Sequence, residues 1–263
     1  MTLFTTGDGN TPLSPEEQDD LIPDLTTKEE LNEWERQNIL EASAWALDRR
    51  NLNRQDPFSE VYLRELHLRM FDQTWKWAGA YRATEKNIGI PHYQIREALP
   101  ALLGDARYWV EHQTFEPDEL AVRFHHKLVW IHPFANGNGR HARLMADVVV
   151  GRLDRPAFTW GSADIVRAGD FRRSYIDALR AADKNDIQPL LAFAQKQWCP
   201  FRTPSGKYFH VFCLLSALRF FSARTIRGVA WRSKTPKPGT KQRWSGSLSR
   251  RGLRASAGNS ILR

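Results

Sequence analysis

Apolar side chains recur every three to four positions in six stretches of this chain, which is the spacing of amphipathic helices. The stretches cover residues 31–47, 59–75, 95–114, 117–131, 171–183 and 187–197. Residues that commonly begin helices stand at or near four of their starts, at Thr27, Ser59, Asp118 and Asp170. The pattern predicts an all-α fold, a helical bundle of six to seven or more helices.

One short segment departs from helical spacing. Residues 87–93, Asn-Ile-Gly-Ile-Pro-His-Tyr, are β-branched and interrupted by glycine and proline, a composition that favours a short extended hairpin. The free edge of such a hairpin can bind the backbone of a partner by strand addition. We therefore expect a small β-hairpin within the helical fold.

Charged residues are distributed unevenly along the chain. The formal net charge is +8, but residues 1–200 hold 24 basic and 30 acidic side chains, whereas residues 201–263 hold 14 basic and no acidic ones. A segment so basic and so rich in serine and glycine is typical of a disordered tail. It could be an arm that binds nucleic acid or an acidic partner. We favour the alternative, a non-native extension from a shifted reading frame or read-through.

Two further observations concern location. Cys199 and Cys213 are the only thiols and lack the spacing of a metal site. No signal peptide and no long apolar span is recognisable. The sequence therefore predicts a cytoplasmic protein without a membrane partner.

The residues best suited to catalysis and anion binding lie between positions 132 and 143. The turn consists of Asn136, Gly137, Asn138 and Gly139. These residues tolerate positive φ, so successive backbone N–H groups can point into one concavity that binds oxyanions. Residues 140–150 contain neither glycine nor proline, so the turn opens a helix whose N-terminus faces the same anion.

Three side chains around this turn suit phosphate chemistry. Arg140 and Arg143 are three positions apart, so both guanidinium groups can reach one di- or triphosphate. His132 precedes the turn, and its neutral form can accept a proton from an attacking nucleophile. The alternative is an ordinary turn between two helices with solvated arginines.

The segment 132–143 resembles the signature of the Fic family, His-Pro-Phe-x-(Asp/Glu/Asn)-Gly-Asn-Gly-Arg-x-x-Arg, without a gap. Residues 77–82, Trp-Ala-Gly-Ala-Tyr-Arg, resemble the element that leads into the family's target-positioning flap. Residues 11–13 and 30–39 resemble a subgroup called mobile mystery protein B. The resemblance implies an N-terminal helical segment (1–55), which would be regulatory, and a catalytic core (56–200), and the basic tail (201–263) follows them.

The resemblance implies transfer of AMP from ATP to a Ser, Thr or Tyr hydroxyl of a protein. His132 would deprotonate that hydroxyl, Phe134 would anchor the loop, and Ile88, Gly89 and Ile90 would form the flap. The residues implied in phosphate binding are Asn136, Gly137, Asn138, Gly139, Arg140 and Arg143. Position 136 departs from many members, which carry Asp or Glu there to hold magnesium (Mg2+). An amide oxygen can ligate the ion but adds no negative charge, so we expect weaker magnesium binding.

Regulation and partners are implied only in outline. Many members are inhibited by a helical glutamate that pairs with the second arginine of the signature, here Arg143. Glu30 lies in the nearest match to the inhibitory motif, and Glu33 and Glu35 are rival candidates. The subgroup implies a mobile element and a small antitoxin or DNA-binding regulator as partner. Two other classes stay open, a catalytically silent interaction module and a DNA-associated protein that acts through the basic tail.

Overall fold

A computed structural model describes residues 11–161 and 168–196, and this part of the chain is helical. It contains nine α-helices: α1 (Pro15–Gln18), α2 (Lys28–Ala46), α3 (Arg49–Arg54), α4 (Glu60–Phe71), α5 (Ile95–Glu111), α6 (Pro117–Ile131), α7 (Asn138–Arg152), α8 (Ala168–Asp183) and α9 (Gln188–Gln195). A single 3₁₀ turn, His92–Gln94, leads into α5. The predicted all-α fold is confirmed.

Side-chain caps begin two of the predicted helices where the sequence places them. The Thr27 hydroxyl accepts the N–H of Glu30, whose carboxylate returns to the Thr27 N–H in a capping box. The Ser59 hydroxyl accepts the N–H of Tyr62 at the start of α4. These caps satisfy N–H groups that have no partner inside the helix. Each cap joins residues only three positions apart, so the local sequence predicts it.

Other boundaries agree only in part. Helix α6 matches the predicted stretch 117–131, although Asp118 lies inside it and not before it, and α8 begins two residues before Asp170. Helix α4 ends at Phe71, and the Phe71 carbonyl accepts the N–H groups of Thr74 at 2.9 Å and Trp75 at 2.8 Å in the turn that follows. Helices α1 and α3, of 4 and 6 residues, are not predicted, since such short helices show no periodicity.

The predicted β-hairpin is wrong. Residues 87–90 form bends, and the described residues contain only isolated bridges, Leu21 with Trp75 and Tyr81 with Phe134. The guanidinium of Arg82 donates to the carbonyls of Thr84, at 2.9 Å, and Ile90. A side chain therefore binds carbonyl groups that a partner strand would otherwise satisfy.

The core lies around the helix pair α6 and α7, which pack against each other and are joined by the loop 132–137. Phe124 and Leu128 of α6, Met145 of α7, and Leu66 and Phe71 of α4 are fully buried. Helix α2 packs on α4, and α5 packs on α6. The connecting loop is therefore held between well-packed helices, which is the support that a precise site requires.

Part of the predicted organisation cannot be compared with the structure. The basic segment 201–263 lies outside the described residues, as does the end of the last predicted helix at position 197. Helices α1 to α3 occupy the described part of the segment 1–55. Among the described residues, no helix has the length and apolar character needed to cross a membrane.

Candidate active site

The loop between α6 and α7 begins and ends with left-handed backbone. His132 follows α6 with φ 56° and ψ 60°, and its N–H still donates to the Leu128 carbonyl at 3.1 Å. Gly137 precedes α7 with φ 77°. Positive φ is uncommon for a residue other than glycine and is often found at functional sites. Here the conformation of His132 turns the chain sharply out of α6.

The loop is fixed from inside by two buried side chains. Phe134 is fully buried, as the resemblance implies for an anchor. The Asn138 amide accepts the Phe134 N–H at 2.9 Å and donates to the Phe134 carbonyl at 2.8 Å. Paired in this way, the amide closes the loop on itself, so its backbone positions are set before any ligand binds.

His67 of α4 contacts the same loop through Phe134 and Asn136. Its ring stacks on Phe134 with centroids 3.6 Å apart. Nδ1 accepts the Gly79 N–H at 3.0 Å, which leaves Nε2–H to donate to the Asn136 carbonyl at 3.1 Å. Burial lowers the pKa of His67 well below 6.5, so the neutral ring keeps this one tautomer.

The His132 ring is oriented as a proton acceptor. Nδ1 lies 3.2 Å from the Val129 carbonyl, an acceptor, so Nδ1 carries the proton. Nε2 is then unprotonated, and it lies 2.9 Å from the hydroxyl oxygen of Thr11, which donates to it. The side chain of a residue 121 positions away thus presents a hydroxyl to this nitrogen.

His132 is neutral at physiological pH. It is only 3% exposed. Burial, with the nearby charges of Arg82 and Lys86, lowers its pKa from 6.5 to about 4, against the opposing effect of the Val129 carbonyl. A neutral imidazole can accept a proton, as general base catalysis requires.

The N-terminus of α7 offers backbone donors beside His132. The N-cap residue of α7 is Gly137, which makes no side-chain capping hydrogen bond. The first N–H groups of the helix therefore have neither a helical partner nor a side-chain cap. A Cβ at Gly137 would lie 2.4 Å from the Phe71 ring, whereas one at Gly139 would meet nothing nearer than 3.7 Å, the Tyr175 hydroxyl. Gly137 is therefore needed for packing, and Gly139 leaves space above the N–H groups.

Arg140 is held by a buried glutamate. Its guanidinium lies 2.5 Å from the carboxylate of Glu35 on α2 and over the Phe71 ring at 4.9 Å. Glu35 is 6% exposed and also accepts the indole N–H of Trp75 at 2.8 Å. The ion pair joins α2 to α7 and engages the guanidinium that the sequence assigns to phosphate binding.

Arg143 contacts a different part of the fold. Its guanidinium lies over the Tyr175 ring of α8 at 5.3 Å from the centroid. The Tyr175 hydroxyl lies 3.1 Å from Nε2 of His125. Arg143 thus takes its position from α6 and α8, one helical turn from Arg140.

The two glutamates predicted as inhibitory lie elsewhere. The Glu30 carboxylate caps α2 through the N–H groups of Thr26 and Thr27, both at 3.0 Å. Glu33 is exposed and pairs with Arg36, three residues along the same helix. Each carboxylate is satisfied within α2, so the structure brings neither to the signature arginines. Glu35 approaches the site, but it pairs with Arg140 and not with Arg143.

Asn136 is a poor match for a magnesium ligand in this arrangement. Its amide oxygen accepts the Gly137 N–H at 2.6 Å and faces the Arg140 guanidinium at 3.4 Å. Its amide nitrogen donates to the Thr11 carbonyl at 3.3 Å. No cluster of three acidic, histidine or cysteine ligands occurs in the described ranges. Since Mg2+ prefers carboxylate and phosphate oxygens, these side chains do not form a protein-held magnesium site.

The predicted flap lies directly on the histidine. A Cβ at Gly89, where φ is 98°, would be 2.5 Å from the His132 Cβ. Ile88 is 41% exposed, whereas Ile90 is 6% exposed and joins the core. Arg82 fastens this segment to the loop, because its Nε donates to the His132 carbonyl at 2.7 Å. The predicted flap is therefore a bent segment in which Ile88 is exposed and Ile90 is buried.

Two contributors to the site, His67 and Thr11, were missed from the sequence, whereas Glu35 was named as a candidate for Arg143 and contacts Arg140 instead. Glu35 falls on the helix face shared by Leu31 and Ala42, and a carboxylate on a buried face is a usable signal. His67 likewise lies among the buried residues of α4. Thr11 gave no local signal, because its role depends on where the chain folds back.

Part of this chain is similar to known proteins. Residues 57–150 match the model of the Fic/DOC family. The chain is 33% identical, over 48% of its length, to a Nematostella vectensis protein named protein adenylyltransferase Fic, covering 28% of that protein. The chain thus spans about a quarter of the length of such curated relatives.

Two solved structures share the fold. Fic-1 (residues 134–508) from Caenorhabditis elegans superposes with a TM-score of 0.50 at 25% identity, covering 69% of this chain and 52% of that one. The N-terminal FIC domain of the Bep8 protein from Bartonella sp. 1-1C gives a TM-score of 0.51 at 17% identity, covering 66% and 87%. The match to the family model identifies residues 57–150 of this chain as a Fic/DOC family domain, and the two structures agree with its helical fold.

Proposed function

We propose that the chain transfers AMP from ATP to a hydroxyl group of a protein, with His132 as general base. The observation that carries the proposal is the hydroxyl hydrogen bond at His132 Nε2, 2.9 Å long, with Nδ1–H directed to the Val129 carbonyl. This is the geometry of a base taking a hydroxyl proton. The names of relatives, protein adenylyltransferase, indicate the group transferred.

The reaction is a displacement at the α-phosphorus of ATP. The hydroxyl oxygen bonds to that phosphorus, its proton passes to His132 Nε2, the bond to the β-phosphate oxygen breaks and pyrophosphate leaves. The N–H groups at the start of α7 and the Arg140 guanidinium stabilise the phosphate charge. Magnesium, when it accompanies the nucleotide, adds positive charge to the phosphates, and we assign it no ligand on the protein.

The Glu35–Arg140 ion pair belongs to the resting protein. Arg140 must turn its donors towards the outer phosphates, so part of its pairing with Glu35 has to be given up. A triphosphate carries more charge than one carboxylate and can compete for this guanidinium. We therefore propose that the chain binds nucleotide but with reduced affinity while Glu35 is charged.

The experiment compares ATP labelled on the α-phosphate with ATP labelled on the γ-phosphate. Each is incubated with the protein, magnesium and a bacterial lysate. Label from the α position alone supports AMP transfer, and we expect His132→Ala to lower the rate by about 10²–10⁴-fold. His112→Ala, the same change at an exposed histidine on the end of α5, serves as the matched control.

Other outcomes would contradict the proposal. Label from the γ position would indicate a kinase. A rate that is unchanged in His132→Ala would remove this residue as the base. No transfer from any nucleotide, with folded protein and with Glu35→Gln included, would favour the silent interaction module.

A further inference from the structure

We propose that Thr11 is itself an acceptor of the transferred AMP and is modified by His132 of the same chain. The inference rests on the proposed function and names one of its substrates. Its starting point is the Thr11 hydroxyl, which occupies the position of an acceptor hydroxyl against Nε2 of His132. No approach or rearrangement of the acceptor is then needed before proton transfer.

The backbone beside Thr11 is bound to the active-site loop. The Thr11 carbonyl accepts the side-chain amide of Asn136 at 3.3 Å. The next residue, Pro12, disfavours helical backbone at Thr11 and so favours an extended conformation, and its carbonyl accepts Lys86 Nζ at 3.1 Å. Thr11 is therefore presented in a segment whose backbone is bound at Thr11 itself and at the residue that follows.

A buried ion pair holds the segment in place. Lys86, in the stretch leading to the flap, pairs with Glu17 of α1, and their side chains are only 2% and 12% exposed. Glu17 also accepts the Thr84 hydroxyl at 2.8 Å. Breaking a buried pair by removing one partner is costly, so this contact fixes α1, and with it Thr11, beside the flap.

Two further contacts connect α1 to the rest of the domain. The indole N–H of Trp77 donates to the Glu17 carbonyl at 3.1 Å. Ser14 caps α1, and Gln18 donates back to the Leu13 carbonyl at 2.9 Å. The segment 11–18 is thus docked by specific contacts, as a bound substrate segment would be.

The chemistry balances without a further reactant. The Thr11 Oγ1 bonds to the α-phosphorus of ATP, its proton passes to His132 Nε2, and pyrophosphate leaves. The product is a phosphodiester of AMP on Thr11. The modified Thr11 has no hydroxyl hydrogen to donate to His132, and the attached AMP is bulky and charged. Modification therefore releases the segment from His132 and leaves this base accessible to other hydroxyl groups.

The experiment maps the label on the purified protein after incubation with α-labelled ATP and magnesium, with bacterial lysate present in a parallel reaction. We expect peptide mass spectrometry to find AMP on residue 11 both in the wild type and in Thr11→Ser. Thr11→Val keeps the shape and removes the hydroxyl, and it should lower self-labelling at least tenfold. Thr26→Val, the same change at an exposed threonine that contacts Glu30, should label as the wild type does.

Concentration separates modification within a chain from modification between chains. The fraction labelled per unit time should stay constant when the protein is diluted tenfold. A fraction that falls with dilution would overturn the assignment to the same chain. Melting temperatures of Thr11→Val and Thr26→Val check that both are folded.

The remaining outcomes distinguish this inference from the proposed function. Labelled lysate proteins, or label on other residues of the chain, with none on Thr11 would overturn the inference and leave AMP transfer intact. Thr11 would then only cover His132 without being modified. No label on any protein would overturn both.

Discussion

At the residue scale, the site depends on one imidazole whose two nitrogens have different partners. The Val129 carbonyl takes Nδ1–H, and a hydroxyl faces Nε2. Burial keeps the ring neutral, because the charged form loses its hydration there. The same burial makes His132 a weak base in the free protein, and binding a triphosphate nearby would raise its pKa again.

The free protein should therefore show an unusual histidine titration. Since burial lowers the pKa of His132 to about 4, its ring should remain neutral as the pH falls from 8 through 6.5 to 5.5. NMR of ring-labelled protein would follow this residue, with the exposed His112 as internal control. A His132 titration near 6.5 would contradict the orientation and burial described above.

Gly89 offers a test of the flap. An alanine Cβ there would approach the His132 Cβ to 2.5 Å at a φ of 98°, so the flap or the ring must move. We expect Gly89→Ala to lower the transfer rate about tenfold or more, since small misplacements of reacting groups are costly.

Gly104→Ala is the matched control for that substitution. Gly104 lies inside α5, and its Cβ would meet nothing within 4 Å. Alanine should raise the free energy of unfolding by about 0.5–1 kcal/mol through helix propensity, with no change in transfer. Equal rates for Gly89→Ala and the wild type would show that the flap does not constrain His132.

At the element scale, α2 restrains α7 through one ion pair. Glu35 and Arg140 stand on different helices, and the carboxylate has a second partner in Trp75. One donor of the guanidinium is thereby held on the Glu35 carboxylate, while another lies 3.4 Å from the Asn136 amide oxygen just before α7. The resemblance implied an inhibitory glutamate that pairs with Arg143. Of the three candidates on α2, Glu35 is the one on the buried face, and it pairs with Arg140.

Glu35→Gln should therefore increase transfer. Glutamine keeps an oxygen for the Trp75 indole N–H and removes the charge that holds Arg140. We expect the KM for ATP to fall several-fold, because a hydrogen bond to a charged group contributes about 1.5–3 kcal/mol and an amide keeps only part of it.

Glu33→Gln is the matched control, since Glu33 lies on the same helix and pairs only with the exposed Arg36 among the contacts described. Steady-state kinetics at varied ATP would compare the two variants. An unchanged KM in Glu35→Gln, or an equal effect in Glu33→Gln, would show that the ion pair does not restrain nucleotide binding.

At the scale of the whole molecule, local signals in the sequence predicted much of the helical fold and the chemical groups of the site. The bounds of α6 and the caps at Thr27 and Ser59 follow from neighbouring residues. The contacts of Thr11 with His132 and of Glu35 with Arg140 join residues 121 and 105 positions apart. Such pairings depend on how helices pack, so no local pattern predicts them. The hairpin prediction failed for a different reason, because the nearby Arg82 side chain binds the carbonyls of Thr84 and Ile90.

Stability of the molecule should depend on Asp147 of α7. Burial raises the pKa of Asp147 from 3.8 to about 7, although the Phe158 N–H and the Trp160 indole N–H both donate to it. Between about pH 4 and 7 the folded protein thus binds a proton that the unfolded chain has released. Stability therefore falls as the pH rises through this range.

Asp147→Asn should remove that dependence, because the amide oxygen can still accept both N–H groups without a buried charge. We expect the variant to be more stable than the wild type at pH 8, by about 1–2 kcal/mol after allowing for partial exposure. Urea unfolding at pH 5 and 8 measures this, with the exposed Asp177→Asn as control. Equal stability of Asp147→Asn and wild type at pH 8 would contradict the raised pKa.

The most direct test of AMP transfer is the balance of its products. Purified protein is incubated with ATP and magnesium, and pyrophosphate release is measured beside the AMP bound covalently to protein. We predict one pyrophosphate for each AMP incorporated, with both products lost together in His132→Ala and retained in His112→Ala. Release of inorganic phosphate with phosphorylated protein, or pyrophosphate release that is unaffected by His132→Ala, would contradict the role assigned to His132.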